Sequence, residues 1–413
     1  MKINEIKTIN NRLSRLTLIT IAGDFISLFS FAFLFMSGGN GLLAGLVIPI
    51  KACACIISTL SFPRLINKIG ARSLISISQL IPFFSSALIA ILVFTKTETR
   101  IFIAIAFFVE SFFSFCFQTT RSSFPKLITD LCKEEGVDSE VSEQLQASTE
   151  HAHQKGVFIG SLAFFIMTFF LKFPIAFLLI INAISFLIAF IISIRIPQIP
   201  IQSRLSLLGA INKIRAQPKL LIIFFIRTFG LWVPISLFNT SMYGVTTNQY
   251  SLSPSFFSLV GVCSAFGAIY VHKKYGSEGP NRLKEIGLAD RGIIGSILYL
   301  LSMLILARLS NPLTGGFILI LIGAANAFLI NSSRSILSSS TSSSGNSEIL
   351  NLDSFCGRII DIIVSILYLN QATYFNLNPT TAFYLSAGWI LLILLPAFYL
   401  LKNKLSKSKV LIE

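Results

Sequence analysis

Apolar blocks of about twenty residues, separated by short charged loops, run the length of this 413-residue chain. At 1.5 Å per residue, a helix of that length crosses roughly 30 Å of hydrocarbon. Stretches such as Ile101 to Val109 and Ala387 to Leu401 lack the apolar and polar alternation of a membrane β-strand, so a barrel is excluded and helices remain. Charged residues make up 12% of the chain against 54% hydrophobic ones, about half the charged share of a soluble domain. A water-soluble globular fold is excluded as well. The chain reads as an all-α membrane protein.

Twelve spans are expected, at about 16–36, 41–62, 73–94, 101–119, 150–171, 174–194, 220–243, 253–271, 288–307, 314–334, 356–375 and 380–401. Placing alternate loops on opposite sides puts 27 lysines and arginines on one side and four on the other, namely Lys96, Arg100, Lys172 and Arg308, with Lys51 and Arg227 inside spans. The positive-inside rule then makes both termini cytoplasmic. It also explains the net charge of +15 as topogenic, with no nucleic-acid partner implied. The first span is too long for the apolar core of a secretory signal and contains Asp24, so it is expected to be retained.

Enzyme chemistry finds no foothold. The six cysteines, mostly inside spans, have no C-x-x-C spacing and read as small buried hydrophobes. His151 and His153 are two residues apart and point in nearly opposite directions on a helix, so no metal is expected. No phosphate-cradling G-x-x-x-x-G-K-[ST] loop, H-E-x-x-H or G-x-S-x-G occurs. The chain is expected to be neither an enzyme nor an ATP-driven pump, and no cofactor is implied.

A cytoplasmic linker, residues 195–219, holds five basic and no acidic residues and includes the partly amphipathic stretch 205–214. It separates an N-terminal six-helix half, residues 1–194, from a C-terminal half with a cytoplasmic tail, residues 220–413. Two halves of nearly equal length are the outline of a parallel-repeat secondary transporter, with the substrate site between them near the midplane.

Residues Pro63 to Arg72, PRLINKIGAR, follow span 2 and are similar to the G-x-L-x-D-R-x-G-R-R loop of the major facilitator superfamily, with Asn67 in place of the acid and Pro63 in place of the first glycine. Span 5 carries Gly156-Val-Phe-Ile-Gly160-Ser161 where exporters of that family carry G-P-x-x-G-G, so the proline and the last glycine are missing. Gly23-Asp24, Ala44 to Val47, Arg121 to Leu127 and Gly357-Arg358 resemble the branch containing macrolide-efflux proteins and enterobactin exporters. Together these stretches make the whole chain resemble the major facilitator superfamily. The resemblance implies the major facilitator fold, and a hinge or latch at Gly70 where Lys68 and Arg72 meet acidic or helix-end partners. Arg64, Lys68 and Arg72 are equally explained as ordinary topogenic charges. Gly156 and Gly160, one turn apart, allow close backbone approach to a neighbouring span, whether for plain packing or for transport.

Asp24, Lys51, Glu110 and Arg227 are ionisable residues inside spans, each costing about 2.5 to 3.5 kcal/mol unless paired or facing water. Counted from the cytoplasmic ends of their spans they lie at depths of about 12, 16, 14 and 10 Å, close enough in level for one neutral network. The family resemblance puts Asp24, Glu110 and Arg227 beside the substrate path. From the charges themselves, Glu110 or Asp24 is expected to take up and release the coupling proton, with Lys51 and Arg227 setting its pKa and offering contacts to an anionic part of the substrate. The plain alternative is an Asp24–Lys51 pair that merely joins spans 1 and 2.

Asp361, one turn inside span 11, is expected to be solvated or paired with Arg358. Asn239, Thr240, Asn326 and Asn331 in spans 7 and 10 are candidates for ligand or interhelical hydrogen bonds. Residues 130–150 hold seven acids and one lysine and read as a solvated helical extension of span 5 starting at Asp138 or Ser139. Serine-rich 335–347 reads as a flexible connector.

The expected protein is therefore a monomeric, multi-pass transporter of a bacterial inner membrane. Its partners would be a small-molecule substrate, protons and membrane lipids. The resemblance favours proton-coupled efflux of a drug-like or siderophore-like compound. Proton-symport uptake of a metabolite, siderophore or lipid, and a non-transporting receptor or assembly partner, remain the alternatives.

Overall fold

The computed structural model describes residues 3–36, 45–97, 100–121, 124, 128, 131–132, 139–196, 207–246, 254–275, 288–309, 311–339, 346–375 and 377–410. Among them the regular structure is helical throughout. This is the economical solution for an apolar chain, since a helix satisfies its own backbone groups where no water can. Spans 1 to 4 are the helices Ile3–Met36, Val47–Ile69, Ala71–Phe94 and Arg100–Arg121. Span 5 is Ser139–Phe165 extended by a π-helical turn, Ile166–Phe170, and span 6 is Ile175–Ser193. The linker forms the helix Leu207–Ala216.

Span 7 is Pro218–Phe225 and Trp232–Gly244, joined by the π-helical turn Ile226–Leu231. Spans 8 to 11 follow as Phe257–Tyr275, Leu288–Arg308, Pro312–Ser339 and Asn346–Tyr374. Span 12 is Thr381–Trp389, a third π-helical turn at Ile390–Leu394, and Leu395–Val410.

Ten of these helices are long and apolar enough to cross a membrane, against the twelve blocks read from the sequence. Span 8 contributes a shorter apolar helix, Phe257–Val271. Span 11 is 29 residues long and is limited by polarity, because Asp353, Arg358, Asp361 and Ser365 interrupt its apolar run. The outward-facing stripes are what lipid demands. On span 3, Phe84, Leu88, Ile91 and Phe94 are exposed at helical spacing, and on span 6 Ile180, Ile184, Ile188 and Ile191.

The chain divides into two compact units. The first is built on Met1–Arg204 with Ser253–Ala265, and the second on Leu205–Leu252, Phe266–Tyr275 and Gly279–Glu413. In the first, span 1 packs along span 5. A Cβ on Gly156 would stand 2.8 Å from the Leu18 carbonyl, and one on Gly160 2.9 Å from the Ala22 Cα, so only glycine lets the two backbones approach this closely. Above them a cluster of rings includes Phe29, Phe164 and Phe257, the Phe29 and Phe257 rings meeting edge-on at 5.5 Å. In the second unit Gly267 packs against the backbone of Ile320 and Ala324 in span 10.

The acidic extension of span 5 begins as a helix at Ser139, but residues 133–138 and the side chains of 139–150 lie outside the described residues, as do residues 340–345 of the serine-rich connector.

Candidate functional site

The first unit buries two carboxyls, Asp24 and Glu110, brought together because spans 1, 3, 4 and 6 each turn a narrow polar stripe inward. Glu110 Oε2 accepts a hydrogen bond of 2.7 Å from Ser86 Oγ of span 3, and Oε1 one of 3.3 Å from Asn182 Nδ2 of span 6. Asn182 Nδ2 also donates to Ser86 Oγ at 3.0 Å, closing the triangle. Asp24 Oδ2 accepts a 2.5 Å bond from Ser114 Oγ, one turn along span 4 from Glu110, and Gln118 Nε2 donates to that same hydroxyl at 3.4 Å. Half-buried Lys51 supplies the counter-charge that acts on Asp24, and its ammonium lies 5.9 Å from the centre of the Phe25 ring. Asp24 is near enough for its charge to bear on Glu110.

Glu110 therefore has a different setting from Asp24. Its hydrogen-bond donors are neutral, a hydroxyl and an amide, and come from two other helices. Gly23, next to Asp24, leaves the space that Asn182 and Ser185 occupy, since a Cβ there would stand 2.9 Å from Asn182 Oδ1. None of Ser86, Ser114 and Asn182 was singled out by sequence. A lone Asn in the otherwise apolar run of span 6 was the one available signal.

Arg227 has its own arrangement in the second unit. Its Nε lies 2.6 Å from Asp353 Oδ2, and its Nη1 donates to Ser333 Oγ at 2.7 Å and to the Ile330 carbonyl at 3.4 Å. Thr228 Oγ1 donates to the other oxygen of Asp353 at 2.9 Å. The expected four-member network of Asp24, Lys51, Glu110 and Arg227 is thus corrected, because Arg227 is already compensated by a buried aspartate of its own unit. Sequence placed Asp353 outside span 11, whose helix in fact starts at Asn346, upstream of the apolar run. Asp361 is paired with Arg358, Nη1 to Oδ2 at 2.7 Å, and it is buried rather than solvated because Ser236 of span 7 closes over it.

Among the remaining candidates, Asn239 is exposed, Asn326 is half-buried, and the side chain of Asn331 lies outside the described residues. Thr240 donates to the Ser236 carbonyl at 2.8 Å and meets Ser365 Oγ at 2.7 Å. In the loop after span 2, Gly70 has φ 78° and ψ 160°, a conformation that favours glycine, and it turns the chain directly from span 2 into span 3. Asn67 and Lys68 are exposed there. Arg72 donates to the carbonyl of Ile194, and Arg12 Nη1 donates to that of Arg195 at 3.0 Å. Two cations thus cap the end of span 6, where the helix dipole is negative. All six cysteines are free thiols, and no cluster of metal-ligating side chains occurs among the described residues.

No protein-family model matches the chain, and no curated protein matches it in sequence. Its fold, by contrast, is shared with solved transporters of the major facilitator type. The crystal structure of the nucleoside transporter NupG is similar over 95% of this chain and 99% of that one, with a TM-score of 0.68 and 16% identity. The crystal structure of a D-xylose-proton symporter is similar over 95% of this chain and 98% of that one, with a TM-score of 0.66 and 14% identity. At these identities the likeness is one of fold: the chain has the major facilitator fold.

Proposed function

We propose that this chain is a secondary transporter that moves a small organic solute by alternating access, and that Glu110 carries the coupling proton. The observation that carries this reading is a carboxyl 2% exposed at mid-depth of span 4, held by the neutral donors Ser86 and Asn182. An ionisable group kept at such a depth is expensive and persists where it does chemistry. Asp24, with Ser114 and Lys51, stands beside it as the second member of the relay.

The sidedness of the basic loops supports a bacterial inner membrane with both termini cytoplasmic, and a six-plus-six bundle encloses a complete pathway in a monomer. The sequence likeness at Gly23-Asp24 and Gly357-Arg358 supports export of a drug-like or siderophore-like compound. A second reading, uptake by proton symport, is favoured by the fold neighbour titled a D-xylose-proton symporter.

Untargeted metabolite profiling of cells and medium, in a deletion strain and an overproducer with and without a proton uncoupler, separates these readings. A compound retained by the deletion strain and released by the overproducer only without uncoupler means export. One left in the medium by the deletion strain means uptake. Uncoupler-sensitive transport that survives in Glu110→Gln with unchanged pH dependence would remove the proton role from Glu110.

A further inference from the structure

Spans 7 and 11 meet along a polar seam with a constant sequence offset. Thr228 pairs with Asp353, Ser236 with Asp361, and Thr240 with Ser365, every pair 125 residues apart. Between the first two, Trp232 lies over Gly357, also 125 away, so closely that a Cβ on that glycine would stand 2.6 Å from the indole nitrogen. The rungs fall at every fourth residue on both helices. Two helices that keep one offset over three such steps run in the same direction, with one i, i+4 row of each facing the other.

Each carboxylate in the seam faces an arginine, one from each helix. Asp353 takes Arg227 of span 7, and Asp361 takes Arg358 of its own span 11, whose guanidinium also stacks 5.1 Å from the centre of the Trp232 ring. The π-helical turn Ile226–Leu231 belongs to this arrangement. Neighbours on an α-helix point about 100° apart, yet Arg227 and Thr228 both reach Asp353 here. The same turn leaves the Phe229 carbonyl to accept 3.1 Å from Trp389 Nε1.

We propose that this seam locks spans 7 and 11 into one rigid element that does not part during the conformational cycle, with Asp353 and Asp361 serving as positioning counter-ions for Arg227 and Arg358 rather than as proton carriers. The proposal takes from the transport reading only that the chain has such a cycle. It separates the roles of the buried acids: those of the first unit are held by hydroxyl and amide donors, with half-buried Lys51 beside Asp24, whereas those of the second each take an arginine.

Two experiments on the full-length chain test it. In the first, Thr240→Cys with Ser365→Cys is cross-linked across the seam, where the two hydroxyls are 2.7 Å apart, by oxidation or, failing a direct disulfide, by a short bifunctional thiol reagent. The bond is confirmed by mass spectrometry, and the unmodified chain, with its own six cysteines, is oxidised in parallel. Transport of the compound found by metabolite profiling is expected to stay within about twofold of the reduced form. A loss of about tenfold or more, restored by reductant, would mean that the seam opens and would overturn the proposal.

The second experiment needs no substrate and so separates failure of the seam from failure of the transport reading. Melting of the detergent-solubilised chain is measured for Arg227→Met, Asp353→Asn and the double variant. A double variant that melts above either single one is expected of mutual counter-ions. Additive losses would overturn the pairing.

Discussion

Span 1 lies along span 5 in the first unit, and span 7 along span 11 in the second, as parallel pairs whose close contacts differ in chemistry. The first rests on close approach: Gly156 lies against the Leu18 carbonyl and the Ile21 side chain, and Gly160 against the Ala22 backbone. The second is a ladder of hydroxyl and carboxylate contacts, with one glycine at its middle. A membrane offers no hydrophobic drive to either, so each must rely on close packing or on hydrogen bonds. What differs is the consequence for charge. In the unit of the glycine-packed pair, the Asp24 and Glu110 carboxyls are held by Ser114, Ser86 and Asn182. The polar pair ties its carboxylates to arginines.

If that contrast is sound, Asp353→Ala is the most damaging single change, because it strands Arg227 in a buried site. A loss of about 3–5 kcal/mol is expected, read as a lowered melting temperature of the solubilised chain. A Gly160→Val chain is expected to lose about 1–3 kcal/mol in the same assay, since the new side chain meets the Ala22 backbone, which cannot yield. An unchanged melting point there would show that the two backbones are further apart. Ser236→Ala or Thr240→Ala removes one rung and should cost only about 0.6 kcal/mol, with about 1.7 as the upper bound for an interhelical hydrogen bond.

A similarly small effect on stability is expected at Glu110→Gln, which keeps an oxygen to accept from Ser86 and should shift melting by less than about 1 kcal/mol. Its transport should nevertheless lose proton coupling. A Glu110→Gln chain as unstable as Asp353→Ala would erase the distinction between the two units.

The ionisable residues of the spans were legible because a charge stands out in an apolar run. Asp24, Glu110 and Arg227 were found that way, and each proves buried. Their partners were not legible. Ser86, Ser114 and Ser333 are small polar residues of a kind that recurs in every span, and which of them turns toward a carboxyl depends on the rotation of its helix. Asp353 was missed for a different reason: the apolar run that marks span 11 begins after it, whereas the helix begins before it. The seam itself left only a weak trace, since residues four apart look alike on a helix that faces water, lipid or a partner.

The sequence alone determined that the chain is a multi-span helical membrane protein, because block length and the separation of charge from apolar blocks follow from the energetics of a backbone and a charge in hydrocarbon. It also picked out Asp24, Glu110 and Arg227 as ionisable groups inside those blocks. Only the tertiary structure decided their pairing: that Arg227 answers to Asp353, that Glu110 rests on Ser86 and Asn182, and that spans 7 and 11 share a single offset. Membership of an apolar span is written in a residue's own stretch of chain, whereas pairing across helices depends on rotation and register, which arise only when the helices pack.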